Sequence, residues 1–525
     1  MPRSAHILAA TIIALVAVFV LVPFGTVAAR ILLTPGLPNP QLDLSPLLSA
    51  LLRTGLYAAI VGLISTILAI PGAWVLADRS RIFRSSFWTV AIIGGGLLLP
   101  SYIPYAGWGL LRGPDTFFGD LLARHHPSIS VGVGQALALV GMALWCWPLA
   151  AVVLSLSVRG LGAGVLDSLW MESSGPHRVW EVTRVLKGGL MAAAGCVGFV
   201  VFGSAIPLNV SQTPTYAIEL WKTMQLGKGM TDIWIAAAPL VLVAGLGAWV
   251  IGRRVMQPAP GRTADDGIGG RGRWAAIGLL TVWALTVLAP LGLFIWSLRS
   301  WRSVGAFWSV SGPGVRSSAE VAAMVGIVGG VLTLVTWACV SDGRWWMRRA
   351  AGLGLFGFLF SGLMPGVLLG AACAGSWGSI PLIGQNTAIQ VMAHAARFGF
   401  VGLLAGWWLA GQEATEERWM RELDAGRSIR AWAVARVRPR ITTVVGVVIC
   451  TAALSFHEIE STVMVAPPGG QNLAQQVLDM LHYARDEQLS AAAINLLGIG
   501  VVLAMLGAGF IGLGATSAAR RGRVE

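Results

Sequence analysis

The sequence predicts an all-α membrane protein of about twelve transmembrane helices, arranged as two similar halves of about six helices each. Three observations predict this fold: an apolar composition, long apolar stretches that recur from end to end, and a pattern that repeats across a polar linker. Of the 525 residues, 55% are hydrophobic and 12% are charged, and the mean hydropathy is +0.72. Soluble multidomain proteins are less apolar than this, so lipid is expected to be the main solvent of the chain.

Each predicted span is a run of roughly 20 mostly apolar residues, the length that crosses the hydrocarbon core of a bilayer as a helix. The first set lies at about residues 7–29, 54–77, 87–111, 131–156, 188–207 and 233–251. The second set lies at about residues 274–298, 319–340, 351–374, 388–410, 441–456 and 491–513. The first run could be a secretory signal, but it is long for one and further spans follow, so we expect it to be retained as a helix.

Basic residues cluster in alternate loops. If the N-terminus is cytoplasmic, all of the arginine-rich segments lie on the cytoplasmic side: 79–84, 159–187, 253–273, 344–349, 418–440 and 520–523. The outside loops keep few basic residues, such as Arg112, Arg124 and Lys222. An excess of positive charge on the cytoplasmic side is the usual topology signal. The net charge of +13 therefore indicates topology and contact with anionic lipid headgroups, with no need for nucleic acid as a partner. Both termini are expected to be cytoplasmic.

A linker divides the chain. Residues Arg253–Arg273 are rich in glycine, proline and charge and lack apolar periodicity, which is typical of a linker. The predicted domains are therefore a first half at residues 1–252, a linker at 253–273 and a second half at 274–525.

The two halves share short sequence matches in the same order. The matching pairs are Ala58–Gly62 with Ala322–Gly326, Asp78 with Asp342, and Leu98-Leu99-Pro100 with Leu363-Met364-Pro365. The matched prolines predict an interrupted helix at the same depth in the third and ninth spans. Order, offset and topology together indicate a duplication whose halves have the same orientation in the membrane.

Two polar segments on the predicted cytoplasmic side occupy equivalent places, between the fourth and fifth spans and between the tenth and eleventh. Leu166–Lys187 and Glu416–Arg440 each predict a short amphipathic helix, with Trp170 and Trp419 on the apolar stripes. Such a helix lies on lipid, packs on its own bundle or docks onto a partner protein.

These segments, with Gly175 and Gly426 and a basic and aliphatic approach to the next span, resemble the cytoplasmic loop by which ABC importer permeases dock onto their ATP-binding subunit. That family places a glutamate six residues before the glycine, where this chain has Leu169 and Met420. The nearest following glutamates are Glu172 and Glu422. The resemblance makes the following the candidate ATPase-coupling residues: Trp170, Glu172, Gly175, Trp419, Glu422 and Gly426.

The end of the second half carries a more specific resemblance. Residues 455–469, SFHEIESTVMVAPPG, followed by Asn472-Leu473-Ala474, are similar to the end of the second half of fused ferric-iron-type permeases, and Ala205–Leu208 is a weaker version after the fifth span. The resemblance implies a type I ABC importer permease fold in the bacterial inner (plasma) membrane. It also implies two copies of a cytoplasmic ATP-binding subunit and an extracytoplasmic substrate-binding protein as partners. Ferric iron is the substrate that the resemblance favours, and thiamine or another small solute is the alternative.

Acidic residues stand where the eleventh span meets the outside surface. Glu458 and Glu460, next to His457, either line the outer mouth of the translocation path or cap a helix end in the solvated headgroup zone, and we favour the second interpretation. In the tenth span, His394 and Arg397 lie three residues apart and share a helix face. An arginine at this depth points into the bundle or extends to the interface.

The interrupted spans supply the remaining candidates for the translocation path, Pro100, Tyr102 and Pro365. Aromatic packing is the simpler explanation for Tyr102 and its neighbour Tyr105.

Catalytic chemistry is not indicated. The sequence has no glycine-rich phosphate loop ending in Lys-Ser or Lys-Thr, so ATP hydrolysis requires a separate subunit that binds the nucleotide. The five cysteines lie far apart in apolar runs and predict small core residues. We expect no enzyme, no metal ligands and no cofactor in this chain. The main rival is a secondary transporter of two six-helix halves, which would need coupling acids in mid-membrane.

Overall fold

A computed structural model describes residues 2–33, 44–77, 86–112, 119–121, 124, 127–160, 168, 175–204, 208, 213–226, 229–257, 272–342, 344–412, 437–468, 472–483 and 486–521. Of this part of the chain, 91% is helical and none forms a strand. The expected all-α class is therefore confirmed.

We describe the helices as two sets, one on each side of residues 258–271, which belong to the predicted linker. The N-terminal set is α1 (Pro2–Val16), a π segment (Ala17–Leu21), α2 (Val22–Leu33), α3 (Leu44–Ala77), α4 (Ser86–Leu98), α5 (Tyr102–Gly109), α6 (Pro127–Gly160), α7 (Gly175–Gly203), α8 (Tyr216–Gln225), α9 (Met230–Ala236) and α10 (Ala238–Met256). The C-terminal set is α11 (Gly272–Trp283), a π segment (Ala284–Leu288), α12 (Ala289–Ser297), α13 (Arg302–Ser341), α14 (Trp345–Leu363), α15 (Gly366–Trp377), α16 (Pro381–Gly384), α17 (Ala388–Gly411), α18 (Ile441–Phe456), α19 (Glu460–Met464), α20 (Leu473–His482) and α21 (Asp486–Arg521).

Among the described residues, ten helices are long and apolar enough to cross a membrane, and two bent helix pairs raise the number to twelve if each pair is one span. This agrees with the number of spans that the sequence predicts. The chain is a multi-pass membrane protein.

Both bends fall at the prolines that the sequence singled out. The α4–α5 pair bends by 71° across Pro100, and the α14–α15 pair bends by 112° across Pro365. At the second bend Met364 and Pro365 have ψ angles of 144° and 131°. A proline forces the preceding residue out of the helical region and offers no N–H to continue the ladder. The predicted helix interruptions are confirmed.

Further elements recur in both sets. The first span of each set contains a five-residue π segment, Ala17–Leu21 or Ala284–Leu288, and a proline follows each one, at Pro23 and Pro290. A proline removes the N–H that would reach back along the helix, and the widened turn accommodates the loss.

The short helices α8 and α20 also correspond. Each is ten residues long and begins at a side-chain cap: Thr215 accepts from the N–H of Ile218, and Asn472 accepts from the N–H of Ala474. Thr and Asn are favoured at this position because the side-chain oxygen satisfies an N–H that the helix leaves without a partner.

Each set has a core of three packed helices, α3 with α6 and α7 in the first, and α13 with α17 and α18 in the second. Gly62 of α3 lies so close to α7 that a methyl group on it would stand 2.7 Å from the carbonyl oxygen of Ala194. Gly326 of α13 approaches α18 in the same way, with 2.7 Å to the carbonyl oxygen of Val448. The sequence match around these two glycines thus corresponds to a shared packing contact.

The two sets exchange helices. The first span of each set packs against the other set: α1 and α2 contact α13, α14 and α15, and α11 and α12 contact α3 and α5. The last span of each set also packs against the other set: α10 contacts α14, and α21 contacts α4. Specific contacts mark these interfaces, including the His6–Trp346 ring stack at 5.0 Å and the bond from Trp147 Nε1 to Thr286 Oγ1 at 2.9 Å. The sets are therefore interlocked.

Arginines cap the carboxyl ends of neighbouring helices. Arg348 donates to the carbonyl of Met256 at the end of α10, at 3.3 Å, and Arg440 donates to the carbonyl of Leu409 near the end of α17, at 2.9 Å. Positive charge is favourable at this end of a helix because the last carbonyls carry negative partial charge. Of the five cysteines expected to be small core residues, Cys146, Cys339 and Cys373 are buried, whereas Cys196 and Cys450 are partly buried, and all five are free.

Candidate functional site

The candidate site begins with an arginine deep inside a span. Arg397 lies nine residues after the start of α17 and fourteen before its end at Gly411, which is roughly 14 Å and 21 Å along the axis at the usual rise of a helix. Its side chain points into the bundle and is 16% exposed. Of the two orientations open from the sequence, the structure has the inward one, since an anionic partner lies within reach.

Two carboxylates share this guanidinium. Nη1 of Arg397 donates to Oε1 of Glu458 at 2.8 Å, and Nη2 donates to Oε2 of Glu460 at 2.9 Å. Both glutamates are buried, with 7% and 6% of their surface exposed. This burial differs from the solvated surroundings that the favoured interpretation expected, whereas the expected helix capping is present, since Glu458 accepts from the N–H of Ser461 near the start of α19. The helix ends at Phe456 and the chain turns inward, which carries both side chains into the bundle.

Local hydrogen bonds hold this turn, the α18–α19 break. Oε1 of Glu458 accepts from the N–H of Ser461 at 2.8 Å and from its hydroxyl at 3.0 Å. The Thr462 hydroxyl donates to the carbonyl of Glu458 at 2.6 Å. A carboxylate placed against the first N–H groups of a helix satisfies donors that the helix itself leaves without partners. Glu458 thus joins the start of α19 to Arg397.

Glu460 connects the break to two other elements. The N–H of Gly366, the first residue of α15, donates to Oε2 of Glu460 at 3.2 Å. The start of a helix favours negative charge because its N–H groups point outward. From the N-terminal set, the hydroxyl of Ser204, next after the end of α7, donates to Oε1 of Glu460 at 3.4 Å. One glutamate thereby contacts the α14–α15 bend and the other helix set.

Gly366 gives the guanidinium room. A methyl group on Gly366 would stand 1.6 Å from Nη1 of Arg397 and 2.6 Å from Cβ of Glu460. The bend at Pro365, which the sequence marks as a candidate for the path, therefore lies directly against the ion pairs.

A buried histidine extends the polar cluster. His394, 4% exposed, contacts the Ser455 hydroxyl through Nδ1 and the Thr462 hydroxyl through Nε2, both at 2.8 Å. Because the single proton of Thr462 goes to the Glu458 carbonyl, Thr462 accepts from Nε2. A second positive charge beside Arg397 is unfavourable in a buried place, so the ring is neutral and Nδ1 accepts from Ser455.

The bend of the N-terminal set lies on the other side of the break. Pro100 and Tyr102 are buried, and Tyr102 belongs to the same apolar cluster as Phe456 and Ile459, which flank the break. Packing, the simpler explanation offered for Tyr102, agrees with this position. The Tyr105 hydroxyl is buried and has no hydrogen-bond partner among the described residues.

The candidate coupling residues fall mostly outside the described part of the chain: Trp170, Glu172, Trp419, Glu422 and Gly426. Gly175 is the first residue of α7, which continues without a break to Gly203. Residues 175–187 therefore belong to the helix of the fifth span and do not form a separate short helix.

Two residues of the site, Ser204 and Gly366, were not singled out in the sequence, and Ser455 and Thr462 appeared only as part of the motif at residues 455–469. Serine, threonine and glycine are too common in membrane helices to carry a signal alone. The informative signal was Arg397, because a charge so far inside a span needs a buried counter-ion.

Among the described residues, no group of three or more His, Cys, Asp or Glu side chains is placed to hold a metal ion. Comparisons of the chain with protein-family models, with curated proteins and with solved structures find no match. The functional argument therefore rests on the residues themselves.

Proposed function

We propose that the chain is the transmembrane permease subunit of an ATP-driven, ABC-type importer, built as a type I permease of two six-helix halves. The observation that carries this proposal is the correspondence of elements between the two helix sets, including the two bent spans, the two π segments and the two capped helices α8 and α20. Repeats with an even number of spans have the same orientation in the membrane, so their equivalent loops face the same side.

This arrangement suits a motor of two identical subunits. Two copies of a cytoplasmic ATP-binding subunit would each dock on one of the segments 166–187 and 416–440 and would supply ATP binding and hydrolysis. Closure of the pair on ATP would draw the two segments together and rock the halves between inward-facing and outward-facing states. Because helices are exchanged between the sets, each half moves with spans of the other.

Ferric iron delivered by an extracytoplasmic binding protein is the substrate to test first, on the resemblance of residues 455–469 to ferric-iron-type permeases. Thiamine and other small solutes come next. The membrane is then the bacterial inner membrane, with both termini in the cytoplasm.

A secondary transporter is the second candidate, and the Arg397, Glu458 and Glu460 cluster favours it. Coupling of uptake to an ion gradient needs ionisable groups inside the spans. These three side chains provide such groups, and the two glutamates are more deeply buried than the favoured sequence interpretation placed them.

Reconstitution distinguishes the two candidates. Proteoliposomes would hold the chain with its genetic neighbours, an ATP-binding subunit and a binding protein, and uptake of radioactive ferric iron would be measured. We expect uptake with internal ATP and none with a proton or sodium gradient alone. Uptake that persists without ATP while a gradient is held would overturn the importer proposal and support the secondary transporter.

Docking provides a second measurement. Replacement of both Trp170 and Trp419 by serine should abolish copurification of the ATP-binding subunit. The matched control is Trp274→Ser, at a side chain that is 81% exposed at the start of α11. Equal copurification from all three proteins would rule out these segments as the docking sites.

A further inference from the structure

A small polar cavity lies beside the Arg397 ion pairs, between α13, α17 and the α18–α19 break. It has room for about one water molecule. Six of its lining side chains carry oxygen: Ser318, Gln390, Ser455, Glu458, Thr462 and Asn472. They come from six separate elements or turns, so the cavity is a product of the tertiary fold.

Two of these side chains have unused polar atoms. Gln390 is 2% exposed, and its amide makes no hydrogen bond to any residue that the structure describes. Glu458 uses Oε1 for Arg397 and for both donors of Ser461. Its Oε2 has no hydrogen bond within the same part of the chain. Both residues are buried and line the cavity, so these free polar atoms are available to a ligand bound there.

The hydroxyls around the cavity offer acceptors. The Ser455 proton goes to His394 and the Thr462 proton goes to the carbonyl of Glu458, which leaves lone pairs on both oxygens. The Oδ1 atom of Asn472 already accepts from the N–H of Ala474 at 2.9 Å and from the Ser318 hydroxyl at 3.5 Å, so it adds a neutral oxygen to the lining without a free lone pair. A cavity lined by a carboxylate oxygen and by neutral oxygen acceptors is suited to a hard cation and is unfavourable for an anion.

The charge around the cavity narrows the choice of cation. Arg397 divides its guanidinium between Glu458 and Glu460, so Glu458 contributes at most part of one negative charge to the cavity. A divalent ion would require more carboxylates than this. We propose that the cavity binds a single dehydrated sodium ion, held by Glu458 Oε2, the Gln390 carbonyl and the Ser455 and Thr462 hydroxyl oxygens. The inference stands independently of the proposed function, because it concerns binding to the resting protein.

Binding is tested on the purified full-length chain in lipid nanodiscs, by equilibrium binding of radioactive sodium and by the Tm in sodium, potassium or N-methylglucamine chloride at equal ionic strength. We expect saturable sodium binding near one ion per chain and a Tm that rises with sodium alone. Gln390→Met keeps the side-chain size and removes the amide oxygen. It should raise the half-saturating sodium concentration about tenfold, the effect of one lost ligand of ordinary strength.

Gln225→Met, at an exposed position of α8, is the matched control and should bind sodium as the wild type does. Glu458→Gln should abolish sodium binding, and if this variant does not fold, Gln390→Met still decides the question. Equal Tm values in all three salts would show that the cavity holds only water and would overturn the proposal. So would a stabilisation that follows pH and ignores sodium, since the ligand would then be a proton, or unchanged sodium binding by Gln390→Met.

Discussion

Two arginine–glutamate pairs in this protein have very different surroundings. The Arg316–Glu320 pair on α13 joins side chains that are 85% and 55% exposed, whereas Arg397 and Glu458 are 16% and 7% exposed. Water and ions screen the first pair, and its contribution to stability is small. The second pair is shielded, so each charge depends on its partner, and loss of one partner leaves a buried charge without compensation.

Arg397→Met should therefore destabilise the protein by about 3–5 kcal/mol, because it leaves Glu458 and Glu460 buried without their counter-ion. Arg316→Met should cost about 1 kcal/mol or less. The measurement is the Tm of each purified variant in the same detergent, together with its folded yield. Equal Tm values for the two variants would contradict the prediction.

A combined variant checks the cause. Glu458→Gln and Glu460→Gln, added to Arg397→Met, should recover part of the lost stability, since a neutral amide is less costly to bury than a carboxylate. Further loss in the combined variant would mean that the arginine acts through packing and not through charge.

Gly366 allows a second prediction for single residues. Gly366→Ala should destabilise the protein by about 1–3 kcal/mol, the usual cost of overpacking, because the added methyl would overlap Nη1 of Arg397, 1.6 Å away. Gly292→Ala, where a methyl meets nothing within 4 Å, should be neutral or slightly stabilising, as alanine favours a helix more than glycine. Thermal unfolding of both variants tests this, and a stable Gly366→Ala protein would mean that the guanidinium has another position available.

The candidate site was only partly predictable from sequence, because some of its contacts join residues that lie far apart in the chain. Arg397 and His394 could be placed on one helix face because helical spacing is local. The pairing of Arg397 with Glu458 and Glu460 joins residues about sixty apart in the chain, and it depends on the inward turn after Phe456. Nothing in local periodicity reports such a turn, so the glutamates were expected at the surface.

At the scale of helices, the proline breaks within spans were predictable from the sequence, whereas the packing partners of each helix were not. Pro100 and Pro365 interrupt their spans through a local effect on backbone geometry, which the sequence displays directly. The packing of α1 and α2 onto α13, α14 and α15 depends on tertiary complementarity between apolar surfaces that resemble one another in composition. A hydropathy pattern gives the number of spans and gives no information on which spans touch.

The duplicated helix crossings make a prediction for α3 and α13. Gly62→Ala and Gly326→Ala should each lower stability by about 1–3 kcal/mol, and to a similar extent, because each methyl would stand 2.7 Å from a backbone oxygen of the crossing helix. Backbone cannot retreat as a flexible side chain can. Gly195→Ala and Gly245→Ala, with open space around both positions, are the controls.

Unfolding midpoints of the four glycine variants, measured in one detergent, provide the comparison. A large effect at Gly62 with none at Gly326 would contradict the equivalence of the two crossings. Effects as large at Gly195 and Gly245 would show that helix propensity or lipid contact, and not close packing, determines the result.

At the scale of the whole molecule, the exchange of helices predicts that the two helix sets stay associated without a covalent connection between them. The N-terminal set covers α14 and α15 with α1, α2 and α10, and the C-terminal set covers α3, α4 and α5 with α11, α12 and α21. Buried polar contacts such as Trp147 with Thr286 lie within this interface. Apolar residues of both sets share buried clusters across this interface, as in the interfaces of obligate complexes.

Cleavage of the linker should therefore leave the two sets associated. A protease site inserted at residues 258–271, within the predicted linker, would be cut in the purified protein, and size-exclusion chromatography in detergent would follow the fragments. We expect one peak that contains both fragments, with a Tm close to that of the uncut chain, because the cut leaves the packing contacts among the described helices in place. The uncut protein carrying the same insertion is the control. Separation of the fragments into two peaks would contradict the interlocked arrangement, and a single peak that splits only after Trp147→Phe would identify the bond to Thr286 as the decisive contact.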